Sequence, residues 1–268
     1  MSASSIPRYS DALRLDGQGF IVLGAGQGIG EQAAHAISQS GGKILCVDMD
    51  ASRANSVATA VGGVALVCDV LSRNDMQAAF ADASRLLGVE VRGVVDVVGM
   101  PIGRTLAQLD DDAWQRQFDL VIRHAYLAVQ LSASVMVNGG SITLVGSMAG
   151  SIARSGALLA YGAAKAALHH FARGAAQELA AQGIRVNVVA PGLTKTPRLL
   201  EANEEAFWSD QETQIPLGRA ASPVDIANAI LFMASPMASH ITGSVIGVDG
   251  GASLGPSRLV ASSGPSTL

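Results

Sequence analysis

Residues 20–30 read FIVLGAGQGIG, four apolar residues followed by four glycines within seven positions. The apolar run has the composition of a strand, and the alanine-rich stretch from 28 to 40 has that of a helix. Between them, Gly24-Ala25-Gly26-Gln27-Gly28-Ile29-Gly30 forms a turn that leads from one into the other. Glycines let the backbone turn tightly and approach a ligand closely, while a helix N-terminus offers unpaired N–H groups and a favourable dipole. The stretch therefore predicts a pyrophosphate cradle, with Gly24, Gln27, Gly28, Ile29 and Gly30 as its contacts.

The next apolar run, KILCVDM (43–49), ends in Asp48, 18 residues after Gly30, near the spacing at which an acid bonds an adenosine ribose. A carboxylate there accepts from ribose hydroxyls and repels a 2′-phosphate. Met49 follows it and Gln27 lies in the turn, so neither neighbouring position supplies a cation for that phosphate. NAD is the cofactor these residues predict. The competing reading of Asp48 is a strand-end residue that caps the following helix.

Further apolar runs recur at 64–70, 91–99, 141–147, 184–192 and 244–251, making seven candidate strands. Candidate helices at 28–40, 51–61, 73–87, 113–136, 160–182 and 222–234 separate them. Near-continuous apolar strands alternating with helices are the pattern of a parallel sheet covered on both faces. One doubly wound α/β Rossmann domain over 1–254 is predicted, followed by a Ser-, Gly- and Pro-rich tail over 255–268. Several strands end in Gly24, Asp48, Asp69, Gly99, Ser147, Pro191 or Gly192, on the edge where open parallel sheets bind ligands.

The composition agrees with that architecture. Hydrophobic residues make up 49 % and charged residues 15 % of 268, enough for a large aliphatic core. A formal charge of −4, with no run of Lys or Arg, argues against nucleic acid as a partner. Cys46 and Cys68 both fall in apolar runs, so neither a disulfide framework nor a metal site is predicted. The N-terminus lacks the pattern of a signal peptide and no apolar run approaches the roughly 18 residues of a membrane span. A cytoplasmic protein that does not contact the membrane is the expectation.

Residues 161–165 read YGAAK, which alone is either a decorated surface helix or a tyrosine with a cation one turn away. Ser147, at the end of the SITLVGS run, supplies a hydroxyl partner. With the GAGQGIG turn, Asp48, CDV at 68–70, Ser147, YGAAK, APG at 190–192 and ITGSVIGVDGG at 241–251, the chain resembles the short-chain dehydrogenase/reductase family over residues 15–252. The resemblance implies Tyr161 as general acid/base, Lys165 as the cation that lowers its pKa and binds the nicotinamide ribose, and Ser147 as the group orienting the substrate oxygen. It also implies cofactor contacts at Asp69, Val70, Gly99, Pro191, Gly192, Thr194 and Thr196, although the two threonines read equally as loop or helix-start residues. An NAD-dependent alcohol dehydrogenase follows, with two alternatives: a carbonyl or ketoacyl-thioester reductase, and a cofactor-binding regulator without turnover.

Three positions depart from the family. In FDLVIRHAY (118–126), Val121 replaces an asparagine that in the family holds a water linking the lysine to solvent, and His124 replaces a glycine. His124 reads either as a substitute polar route or as an interface or surface residue. Leu23 replaces a threonine, and Asp96-Val97-Val98-Gly99 replaces Asn-Asn-Ala-Gly, so apolar packing is expected where the family ties strands with a polar contact. Asp96 is either a structural acceptor or a perturbed buried acid.

Residues 197–217 interrupt the alternation where the family carries a substrate lid, with Leu199, Leu200, Phe207 and Trp208 as apolar candidates. Met100 and Met148 are placed on the remaining wall, which predicts an apolar secondary alcohol or ketone as the small-molecule substrate, cyclic ones included. Arg104, Arg154 and Arg198 are alternatives between exposed loop cations and a carboxylate anchor. The family's dimer helices correspond to 113–136 and 160–182, which implies a homotetramer.

Overall fold

The computed structural model describes residues 8–153 and 157–255. Seven parallel strands form one sheet in the order β3-β2-β1-β4-β5-β6-β7. They are β1 Gly19–Leu23, β2 Lys43–Asp48, β3 Val64–Val67, β4 Val91–Asp96, β5 Gly140–Val145, β6 Ile184–Pro191 and β7 Val245–Val248. The helices between them are α1 Gly28–Gln39, α2 Ala51–Val61, α3 Arg73–Leu87, α4 Asp111–Phe118, α5 His124–Val135, α6 Leu159–Leu179, α7 Pro197–Ala202, α8 Glu205–Glu212 and α9 Pro223–Ala234. The predicted single α/β domain with a seven-stranded parallel sheet is thus present. Of the predicted tail, only Gly255 lies within the described residues.

Strand alternation explains why the strands read as continuous apolar runs. Phe20 and Val22 point into one core with Ile37 of α1 and Ile226 and Ile230 of α9. Ile21 and Leu23 point into the other, with Phe80 of α3, Leu127 of α5 and Leu168 of α6. Both faces are covered, so both parities of β1 are apolar. Helix starts are fixed locally: Asp50, Ser72, Asp110 and Ser222 each accept a backbone N–H of the first turn of α2, α3, α4 and α9.

β1 sits where the winding reverses, paired with β2 on one side and β4 on the other. Chain crossings leave that point in opposite directions, which opens a crevice beyond the carboxyl ends of β1 and β4. Strands stop earlier than the apolar runs at 64–70 and 91–99 predict, and the residues beyond turn outward to form the rim of this crevice.

The predicted helix over 113–136 is two helices. Asp119–Arg123 between them forms a π turn, so the backbone widens by one residue before α5 begins. Leu23 and Asp96 are register partners on β1 and β4, and the strands are tied there by backbone: the Val97 N–H donates to the Leu23 carbonyl at 3.1 Å. Leu23 is fully buried among aliphatic side chains. Leu23→Thr is therefore expected to lower stability by about 2 kcal/mol or more, from lost apolar volume and an introduced hydroxyl. Urea unfolding checks this, and a midpoint equal to the parent's would contradict it.

Candidate active site

The glycine turn has the shape a phosphate requires. Gly24 and Gly28 have φ of +80° and +61°, and a Cβ at Gly30 would lie 2.0 Å from the Gly24 carbonyl oxygen. The turn is also locked from outside. Asp48 Oδ2 accepts the Gly26 N–H at 2.9 Å, and Oδ1 accepts the Asp50 N–H at 3.0 Å. Its carboxylate is held at the rim of a cleft of about 310 Å³. Gly24, Gln27, Gly28, Ile29, Gly30, Met49, Asp69, Val70, Gly99 and Thr196 line the same cleft with it, as does Met100. A glycine cradle at a helix N-terminus, with an acid beside it, fits a dinucleotide.

Beyond Met100, five cleft residues are not among the cofactor contacts expected from sequence: Cys68, Val97, Val98, Pro197 and Arg198. Arg198 opens α7 and its Nη1 lies 3.1 Å from Met100 Sδ, spanning the two sides. One further residue lies against the glycine turn without lining the cleft. Arg53, in the first turn of α2, passes so close that a Cβ at Gly26 would lie 2.7 Å from its Cβ. Its Nε is 3.6 Å from Asp50 Oδ2. The signal available in the sequence was its place in the helix that starts immediately after Asp48.

Ser147 stands two residues beyond β5 and Tyr161 and Lys165 share one face of α6. The Lys165 Nζ is fully enclosed and donates to the Val145 carbonyl at 2.7 Å. It also sits 5.7 Å from the centre of the Tyr161 ring. Burial pushes the Lys165 ammonium down to about 8, against a raising influence from the Asp96 carboxylate. Tyr161 moves the other way from expectation: burial raises its phenol, and the opposing, lowering influence comes from the Ser147 hydroxyl.

His169, one turn beyond Lys165, is buried with its Nε2 unpartnered. Burial first, then the charges of Lys165 and Arg173, push it down to about 4, which keeps it neutral beside the ammonium. Val121 is buried in the core and brings no polar group. His124 is not a surface residue; it is 1 % exposed and its Nδ1 lies 2.7 Å from Asp96 Oδ2.

The remaining predicted residues divide. Pro191 ends β6 and Gly192 follows it, outside the cleft wall. The buried Thr194 hydroxyl donates to the Gly192 carbonyl at 3.1 Å, within its own turn. Thr196 caps α7. The lid region consists of α7 and α8. Trp208 is packed with Met148, Ile215 and Leu199 into a small core of its own, while Leu200 and Phe207 are exposed. Arg104 is exposed on its loop, and Arg154 lies outside the described residues.

A family model described as enoyl-(acyl carrier protein) reductase matches residues 24–253, which contain the glycine turn and all three of Ser147, Tyr161 and Lys165. The chain belongs to the short-chain dehydrogenase/reductase family. It is 34 % identical to a galactitol 2-dehydrogenase (L-tagatose-forming) of Cereibacter sphaeroides, over 91 % of this chain and 98 % of that one. It is 36 % identical to the 2,3-dihydro-2,3-dihydroxybenzoate dehydrogenase of Escherichia coli K12, over 89 % and 98 %. Among solved structures, a 7α-hydroxysteroid dehydrogenase complexed with NADH and 7-oxo glycochenodeoxycholic acid superposes with a TM-score of 0.84 at 32 % identity, covering 90 % of this chain and 96 % of that one. Short-chain dehydrogenase/reductases of this kind are oxidoreductases that use a nicotinamide dinucleotide. Among the described residues no helix is long and apolar enough to cross a membrane.

Because the Ser147 hydroxyl opposes the burial of the phenol, Ser147→Ala is expected to move Tyr161 ionisation to higher pH. Phenolate absorbance, with Tyr161→Phe subtracted, reads this directly. An unchanged or lower titration would contradict the assignment.

Proposed function

We propose that this short-chain dehydrogenase/reductase interconverts an apolar secondary alcohol and its ketone with NAD, using Tyr161 as general acid/base. The observation that carries the reading is the convergence of Ser147, Tyr161 and Lys165 at the carboxyl edge of β5, beside the glycine-lined cleft. Gly24, Gln27, Gly28, Ile29 and Gly30 would hold the pyrophosphate, Asp48 the adenosine ribose, and Lys165 the nicotinamide ribose. When bound, the nicotinamide supplies the acceptor for the carbinol hydride.

The side chains handle the proton. Ser147 donates to the substrate oxygen and fixes it against Tyr161. In the oxidative direction the Tyr161 phenolate takes the hydroxyl proton, and in the reductive direction the phenol returns it to the carbonyl oxygen. Lys165 favours the phenolate by its charge, weakly when the cleft holds only water and more strongly once solvent is excluded. Met100, Leu199, Leu200 and Phe207 would supply apolar surface around the substrate, with the buried Trp208 and Met148 setting the position of the lid from beneath. Relatives named for galactitol and for a hydroxysteroid support a secondary carbinol as the reacting group. The working protein is taken as a cytoplasmic homotetramer.

A second reading, a carbonyl or ketoacyl-thioester reductase, is favoured by one of the relatives. A relative named 3-oxoacyl-[acyl-carrier-protein] reductase is 33 % identical over 87 % of this chain. Cofactor selectivity separates the two. The parent is expected to prefer NAD over its 2′-phosphate, and Asp48→Ala to lower that preference by about tenfold or more, since an unpaired charge contact costs over 1 kcal/mol. A parent that prefers the phosphorylated cofactor would support the reductase instead.

Turnover itself is tested by NAD reduction across cyclic, aliphatic and aromatic secondary alcohols. Tyr161→Phe is expected to lower the rate by about 10²- to 10⁴-fold while binding NADH as the parent does. Equal turnover in the two proteins would remove Tyr161 from the chemistry.

A further inference from the structure

We propose that Asp96 and His124 form a positioning pair for Lys165: they hold the backbone that faces its ammonium and keep a carboxylate's field on it. The inference rests on Lys165 being the lysine of the active site, as proposed above.

Both residues are in effect sealed from solvent, 2 % and 1 % exposed. Asp96 ends β4 and His124 opens α5, so the pair clamps a strand end to a helix start. Every polar atom is used. Asp96 Oδ1 accepts the Val98 N–H at 3.1 Å, Oδ2 faces His124 Nδ1 at 2.7 Å, and His124 Nε2 lies 3.2 Å from the Leu120 carbonyl oxygen.

Those partners fix the protonation pattern. A carbonyl oxygen only accepts, so Nε2 carries a hydrogen. The short Nδ1···Oδ2 contact needs one more proton, whether it sits on nitrogen or on oxygen. With that proton on nitrogen, the carboxylate end of the pair is Asp96 and its N–H points at Leu120.

Leu120 belongs to the π turn, and the turn aims this carbonyl toward Gly99. The side-chain position that Gly99 leaves open would be 3.0 Å from Lys165 Nζ and 3.5 Å from the Leu120 oxygen. Gly99 itself is three residues beyond Asp96, on the segment anchored by the Val98 bond. The pair thus grips two of the surfaces around the ammonium, the 96–99 segment and the π turn. The third is the Val145 carbonyl on β5.

The charges around Lys165 can be named by element. β4 presents Asp96, and α5 presents His124. The lysine's own helix presents Tyr161 and His169, and the loop after β5 presents the uncharged Ser147. His169 is neutral above about pH 4 and the Tyr161 phenol is raised by burial, so Asp96 is the negative group nearest at hand in neutral solution. Its influence on the ammonium is in the raising direction, against the lowering effect of burial. A valine at 121 leaves this work to the pair, because no other side chain of the π turn brings a polar group inside the core: Asp119, Leu120, Ile122 and Arg123 are each partly or fully solvent-facing.

The chain has three lysines, Lys43, Lys165 and Lys195, so labelling lysine with ¹³C at the ε-carbon gives few signals, and Lys165→Met assigns the one that matters. The titration is run on the cofactor-free, full-length protein. In the parent, Lys165 is expected to lose its proton near pH 8. Asp96→Asn can keep all three hydrogen bonds, with its amide oxygen on Val98 N–H and its NH₂ on a neutral His124, but it removes the carboxylate. Its Lys165 should deprotonate at lower pH, binding the proton about tenfold more weakly. His124→Gln does the opposite: the carboxylate is left without the imidazole that balances it, and Lys165 should hold its proton to higher pH.

Shifts of opposite sign support the pair as an electrostatic and positioning device. An unshifted Lys165 in a folded Asp96→Asn protein would overturn it, as would shifts of the same sign in both variants. If His124→Gln does not fold, the Asp96→Asn titration decides alone. NADH binding by fluorescence, measured beside the titration, keeps the two claims apart. Loss of NADH binding in the parent would sink the proposed function and leave the lysine titration standing, whereas parent binding with an unmoved lysine would sink only the pair.

Discussion

A lysine ammonium enclosed in the protein interior and bonded to the carbonyl of Val145 is the contact around which the site is organised. Taking such a charge out of water is expensive unless acceptors surround it. The acceptor used here is the last carbonyl of β5, available because the strand ends there while its neighbours in the sheet hold it in register. Lys165 thus depends on the sheet, and the sheet's carboxyl edge gains its polarity from Lys165. The same helix delivers Tyr161 to that edge, and the loop that leaves β5 delivers Ser147.

Burial has opposite effects on the two groups. It weakens the lysine's hold on its proton and strengthens the tyrosine's. Left alone, both trends oppose a phenolate beside an ammonium. What opposes them is polar and local: the Ser147 hydroxyl on the tyrosine side, the Asp96 carboxylate on the lysine side, and neutral His169 in place of a second cation. At the far end of the cleft the logic is different. Asp48 is half-buried at a rim, and its carboxylate accepts two backbone N–H groups that lock the turn.

Much of this was legible in the sequence because strand and turn signals are local. Four glycines after four apolar residues force a tight turn, and aliphatic runs separated by helical stretches force a covered parallel sheet. The acid at position 48 is found by counting. The unread parts depend on contacts between distant residues or on a local change that leaves no compositional mark. The π turn at 119–123 is invisible to hydrophobic periodicity, since one extra residue in a turn does not alter which residues are apolar. His124 reads either as a substitute polar group or as an interface or surface residue until Asp96, 28 positions earlier, is seen beside it. Arg53 is marked by its place in the helix that follows Asp48, but only the bend into α2 brings its Cβ back against Gly26. Trp208 looked like a pocket wall by composition, yet it serves as the packed underside of the lid.

The central claim is that burial raises the Tyr161 phenol in the free protein and that the charge of an oxidised nicotinamide, added to that of Lys165, would make it acidic. The most direct measurement is its phenolate absorbance as a function of pH in the free protein, with NAD and with NADH, each corrected by Tyr161→Phe. The account predicts that NAD, whose ring is cationic, lowers the pH at which the phenolate appears, and that NADH lowers it less. Three coincident titrations would contradict it.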